Sequence, residues 1–204
     1  MCRFLLMTMS FFALSALACE AAEIGLSRQV IAGSHPSISA AAAVISGQIV
    51  DGDAQKVTAL FADAKRTDDG HQILRLLINS PGGLVGESMK IGKLVRLNGV
   101  EVFIPPNSSC ISACVLILAG GVIRTVDGPV GIDHPHFLKT AGPSDDIPKL
   151  LAETKKVIRD YFKSMGVAEE LADVMFSLPD GKVNILSRGE LLRYHLSLIA
   201  STPR

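Results

Sequence analysis

Tryptophan is absent from the 204 residues, aromatic side chains make up only 5%, and charge of neither sign dominates, since 20 Lys and Arg stand against 20 Asp and Glu. A neutral chain with no basic run excludes recruitment of nucleic acid or an anionic membrane surface by bulk electrostatics. Disorder is excluded by a hydrophobic content of 48%, which is enough to build one ordinary core. Cysteine is scarce too. The four cysteines have no histidine at zinc-finger distance, and His35, His71, His136 and His195 show no ligand spacing, so neither a metal nor a cofactor is expected. No repeat at solenoid period is present.

Much of the hydrophobicity sits at the start. Residues 1–18 carry Arg3, an apolar stretch from Phe4 to Leu14, and small residues ending Ala16-Leu17-Ala18. This is the pattern of a cleaved secretory leader, short for a membrane anchor and without a following basic cluster. The expected protein is periplasmic or secreted, with no membrane insertion once the leader is removed. Cys19 directly after Ala18 raises a lipidated alternative, although Ala16 stands where that signal wants Leu. Cleavage would take Cys2 and leave Cys19, Cys110 and Cys114 in an oxidising compartment. Cys110 and Cys114 are the candidate disulfide; the alternative is two small buried residues on one helix face, where Cα atoms four apart lie about 6 Å from each other.

Residues 19–39 show no sustained period and read as a linker or N-terminal arm, and residues 40–204 as one domain. Ala43 to Ile49 is strand-like, and Asp51-Gly52-Asp53 turns into a helix carrying Val57, Leu60, Phe61 and Ala64 on one stripe. Ile73 to Asn79 is apolar almost throughout, as in a strand covered on both faces. A helix through Met89, Leu94 and Val95 closes at Asn98-Gly99, and Val100 to Ile104 is the next strand. Cys110 to Ala119 predicts a buried helix ending at Gly120-Gly121, and Val130 to Ile132 a short strand. From Ser144 to Met165 the spacing predicts a long amphipathic helix. A helix ending at Met175 to Pro179, a strand at Val183 to Leu186 and a capping box at Ser187-Arg188-Gly189-Glu190 complete the chain. Strands alternate with helices, so the class is α/β with a largely parallel core.

Two Gly/Ser-rich turns interrupt this pattern. In Asn79-Ser80-Pro81-Gly82-Gly83, paired glycines after a buried strand let backbone N–H groups approach a ligand, as an oxyanion hole requires; alone, the segment is equally a plain turn. In Ser108-Ser109-Cys110-Ile111-Ser112-Ala113-Cys114, a serine opening a buried helix is placed to be a nucleophile; alone, it is equally a packing residue.

Ser46-Gly47-Gln48-Ile49, Leu77 to Gly83, Ser112 followed by Ala113 to Gly120, and Ile132-x-x-Pro135 together resemble the landmarks of the Clp protease proteolytic subunit, and in particular its exported relatives in the ClpP/crotonase superfamily. The resemblance spans residues 43 to 198. It implies a spiral of ββα units, homo-oligomeric rings, a peptide or protein substrate and serine peptidase chemistry. Ser112 matches the nucleophile, and the backbone N–H groups of Gly83 and Ala113 match the oxyanion hole. The long helix from Ser144 matches the region by which rings pair.

Two positions depart. The family's Ile-His-x-Pro is Ile132-Asp133-His134-Pro135 here, so Asp133 holds the base position and His134 comes one residue late, on the opposite strand face. The acid position is Val183, with Asp180 three residues earlier in an Asp-Gly turn. Three readings follow. Local irregularity brings His134 to Ser112, with Asp180 or Asp133 orienting it; a buried Lys139 or Lys149 makes a Ser-Lys dyad; or catalysis is lost and the fold is a secreted oligomeric scaffold. Crotonase-type acyl-CoA chemistry is a poor match, because an exported chain does not normally meet CoA.

Overall fold

The structure, a computed structural model, describes residues 21–30, 39–64, 75–135 and 147–197. The chain order is β1 (Glu23–Val30), β2 (Ser39–Ser46), α1 (Asp53–Ala64), β3 (Arg75–Asn79), α2 (Val85–Leu97), β4 (Glu101–Ile104), β5 (Cys110–Ile111), α3 (Cys114–Gly120), β6 (Ile123–Val126), β7 (Val130–Asp133), α4 (Ile147–Ser164), α5 (Glu170–Ser177), β8 (Val183–Ile185) and α6 (Arg188–Arg193). A five-stranded sheet runs β1-β2-β3-β4-β6 and a three-stranded sheet runs β5-β7-β8. Only β1 and β8 pair antiparallel with their neighbours. The units β4-β5-α3 and β6-β7-α4 each give their first strand to the large sheet and their second to the small one. This is the expected α/β fold with ββα units and a mostly parallel core.

Three elements differ from the sequence expectation. The arm contains a strand, Glu23–Val30, which pairs along its whole length with β2. Strand β6 carries Arg124 and Thr125, which hide it from an apolar-run search. The helix expected from Cys110 starts only at Cys114, because the neighbouring strands claim the backbone before it. Cys110 N–H donates to Pro129 O, Ile111 N–H to Ser80 O and Ser112 N–H to Gly131 O, at 3.0, 3.0 and 2.9 Å.

Every residue of α3 is buried, so no face of it is left for side chains that would hold a neighbouring helix away. Helix α2 meets it through bare backbone. A Cβ on Gly120 would lie 2.2 Å from Gly92 O, and one on Gly92 would lie 1.9 Å from the Tyr161 hydroxyl, which donates to Leu116 O at 2.6 Å. Burial holds that phenol's pKa above its usual range.

The ends of α3 and α4 are tied by two arginines. Arg124, 3% exposed, reaches Ala119 O, Met165 O and His195 O, and Arg96 shares the first two. Burial, with the Arg96 charge beside it, pushes the Arg124 guanidinium down to about 10. Carbonyls at helix ends carry partial negative charge, which offsets part of the cost of burying these cations. Elsewhere, buried Glu87 of α2 accepts Ala54 N–H at 2.9 Å and so supplies the first turn of α1 with an acceptor, and that bond holds its carboxyl below the usual range. Ser187 and Glu190 form the expected capping box of α6.

Candidate active site

The Asn79–Gly83 turn is fixed from three sides. Buried Ser80 donates through Oγ to Gly47 O at 2.6 Å and accepts Gly82 N–H at 3.1 Å, while Asn79 Oδ1 accepts Ser109 N–H at 3.0 Å. The chain then passes alongside Ile49, whose N–H donates to Gly82 O and whose O accepts Leu84 N–H. Successive peptide units of an extended chain point opposite ways. Gly83 N–H therefore faces away from Ile49, and it donates to no described residue.

Ser112 stands between the end of β5 and the start of α3 with φ of 57°, one of two non-glycine residues with positive φ among those described. Such a conformation is strained for a side chain with a Cβ, and it persists only where the surroundings impose it. Here they are identifiable. Its N–H is bonded to Gly131, its carbonyl accepts Val115 N–H at 3.1 Å, and a disulfide joins Cys110 to Cys114 across it, with Cα atoms 5.3 Å apart. The bridge thus links a strand end to a helix start and not two turns of one helix. Gly82 packs directly on this corner, since a Cβ there would lie 2.7 Å from Ile111 O, 2.8 Å from Ser112 Cβ and 3.0 Å from Ala113 N. Ala113 N–H, before the helix ladder begins, also donates to no described residue.

Strands β5 and β7 are parallel, so Ser112 and His134 leave the small sheet at the same end. Strand β8 runs the other way and begins at Val183, which brings Asp180 to that end as well. His134 Nδ1 lies 3.4 Å from Asp180 Oδ1 and 3.1 Å from Pro135 O, and its ring stands edge-on to Phe176 with centroids 5.5 Å apart. Asp180 sits in a turn, followed by Gly181 with φ of 72°, so the turn and the contact with His134 coexist. Asp133 is the cross-strand partner of Val183. It makes no hydrogen bond to His134, and its Oδ1 is buried without a partner among the described residues. The Ser112 hydroxyl has no hydrogen-bond partner among the described residues. The structure thus brings Ser112 and the His134–Asp180 pair to one sheet end without a bond between them, and it separates Asp133 from His134.

No protein-family model matches the chain, and no curated protein does. Among solved structures it is similar to the 1510-N membrane-bound stomatin-specific protease, studied as a serine-to-alanine mutant, with a TM-score of 0.58 and 19% identity over 77% of this chain and 76% of that one. The chain shares the fold of that protein.

Within this fold Lys149 lies exposed in the first turn of α4 and lacks the burial that a lysine base requires. Lys139 and His136 fall outside the described residues, as do residues 1–20, with Cys19 and the expected leader. His195 is exposed beside α6, where its N–H donates to Leu192 O and its carbonyl accepts from Arg124. No three His, Cys, Asp or Glu among the described residues converge on a metal position. Two residues of the site had no separate signal in the sequence. Gly82 was one of a pair whose members spacing cannot tell apart, and Phe176 packs on His134 from a helix distant in sequence.

Proposed function

We propose that the protein is an exported ClpP-like serine peptidase in which the histidine and acid have moved together past the strand positions that the resembled family uses. Ser112 is the nucleophile. The observation that carries this reading is the surroundings of His134 Nδ1, which has a carbonyl and a carboxylate as its neighbours. Both are acceptors, so Nδ1 keeps the proton and Nε2 keeps its lone pair. Nε2 then takes the Ser112 proton as Oγ attacks the peptide carbonyl, and Asp180 holds the ring that becomes positive. The N–H groups of Gly83 and Ala113 donate to the oxyanion. Collapse returns the proton to the leaving amine, and water repeats the sequence on the acyl-enzyme. In apo enzymes such serine–histidine contacts are often long and close only around substrate.

The unbonded Ser112 hydroxyl favours a second reading, a scaffold without catalysis. Labelling with a fluorophosphonate probe separates the two. Wild type is expected to label slowly, Ser112→Ala not at all, and His134→Ala about 100-fold more slowly than wild type. Labelling that survives Ser112→Ala removes the nucleophile assignment, and an unchanged His134→Ala rate removes the base. No labelling of any variant, including Asp133→His, which restores a histidine at the family position, leaves the scaffold.

Export and self-association belong to the same proposal. The leader pattern and the cysteine bridge support the first, and Ile147 and Val157, exposed on α4, support the second. Protein purified from the cell envelope should begin at Cys19 and scatter light as more than one copy. Met1 at its N-terminus ends the claim of cleavage, and a strict monomer across micromolar concentrations ends the claim of assembly.

A further inference from the structure

We infer that Asp133 selects the substrate, receiving the Lys or Arg side chain of a peptide held beside Ser112; this rests on the peptidase reading for what happens to the peptide, though not for its binding. Gly131 pairs with Ile185 and Asp133 with Val183, and residues two apart on a strand share a face. Ile111 of β5 is in register with Gly131 on the other side. Over Gly131 these apolar side chains converge. A Cβ there would lie 2.8 Å from Val183 Cγ1 and 2.9 Å from both Ile111 Cδ1 and Ile185 Cδ1. Yet Val183 and Ile185 remain 49% and 53% exposed. The face is therefore an open apolar shelf, and a carboxylate stands at its end.

That carboxylate lacks what its surroundings demand. Asp133 is half-buried, and its Oδ1 is buried with no hydrogen-bond partner among the described residues. A buried acceptor left unmatched is costly, and the cost is larger for a charged group. A carboxylate accepts only, so the missing partner is a donor, and the shelf beside it calls for a donor carried on an aliphatic stem. Lysine and arginine have that build, covering apolar surface with the stem and bonding through the head. The dimensions agree, because same-face residues on a strand are roughly 6.5–7 Å apart, about the reach of an extended lysine side chain. The shelf also begins at the reacting serine, since Ser112 N–H is bonded to Gly131 O at 2.9 Å. Strand alternation explains why Asp133 serves the substrate and not the base. It points to the shelf, while His134 turns to the other face and Phe176.

Binding can be read without catalysis. In the Ser112→Ala protein, dye-tagged acetyl-Ala-Ala-Lys-Ala-amide and its norleucine counterpart, which has the same stem and no charge, are compared by fluorescence anisotropy. The lysine peptide is expected to bind about 10-fold more tightly, the size of one charge-assisted contact. Adding Asp133→Asn should erase that difference and leave the norleucine affinity in place, and Asp133→Thr serves if the Asn variant does not fold. Equal binding of the two peptides, or a lysine preference that survives either substitution, overturns the inference. A preference that depends on Asp133 in a protein that no fluorophosphonate labels supports the site and removes only the peptidase reading. Labelling of wild type together with equal binding does the reverse.

Discussion

Gly120→Ala is expected to lose a large share of the folded protein's margin, with the urea midpoint falling well below that of wild type. The added methyl would lie 2.2 Å from Gly92 O and 2.6 Å from Gly92 Cα, so it meets the backbone of α2 and not a side chain that could swing aside. The two helices must separate, and with them the Tyr161 hydroxyl that fills the room beside Gly92 and bonds to Leu116 O. Overpacking costs about 1–3 kcal/mol where side chains can yield and more where they cannot. Alanine's better helix propensity returns up to about 1 kcal/mol. The net loss of roughly 3 kcal/mol is a large share of a stability of about 5–15 kcal/mol. Gly86→Ala, on the same helix α2 with nothing within 4 Å of the new methyl, should be neutral or slightly stabilising. A Gly120→Ala midpoint matching wild type would mean that α2 and α3 do not approach through bare backbone.

Gly82→Ala should abolish Ser112 labelling while a folded protein remains, a loss of about 100-fold or more, as when an oxyanion donor is removed. Two effects coincide there. The residue has φ of 101°, which side chains with a Cβ rarely adopt, and the methyl would strike Ile111 O, Ser112 Cβ and Ala113 N. Relief of either shifts the Gly83 N–H relative to the Ala113 N–H, so the two donors of the proposed oxyanion hole no longer act together. Gly52→Ala is the matched control. It carries a similar φ of 88°, but its nearest neighbour would be Gln55 Oε1 at 3.8 Å, so it should lose a little stability and keep its labelling rate. Equal labelling of Gly82→Ala and wild type would remove the two-donor arrangement.

The parts of this fold that were legible in sequence are those set by local periodicity. The spacing in α1, α2 and α4, the apolar run of β3 and the Ser187 capping box each follow from side chains near one another in the chain. What was not legible depends on distant pairing. Nothing between Glu23 and Val30 marks a strand until Ser39–Ser46 lies beside it. Cys110 and Ile111 have the composition of the helix that follows, and only Ser80 and the β7 strand draw them into a sheet. Arg124 marks a surface by composition, yet it is buried because three helix ends supply its acceptors. The candidate site divides the same way. The glycine turn, Ser112 and its distance from that turn can be read directly, whereas the meeting of His134 with Asp180 requires knowing that β8 returns antiparallel to β7. The same register explains why Asp133 faces Val183, the two positions at which the resembled family keeps its base and acid.

In the proposed mechanism, moving the acid from a strand into the Asp180 turn changes the medium in which it works. Asp180 is 82% exposed, so its attraction for an imidazolium acts largely through water and amounts to about 1 kcal/mol at such a separation. Mobile ions weaken it further, over a screening length of about 8 Å at physiological ionic strength and about 3 Å at 1 M. An acid enclosed between paired strands would be protected from both. The orientation of the His134 ring is therefore tied to the ionic strength of the surrounding medium, and in the proposed mechanism its labelling-competent geometry should loosen as salt rises.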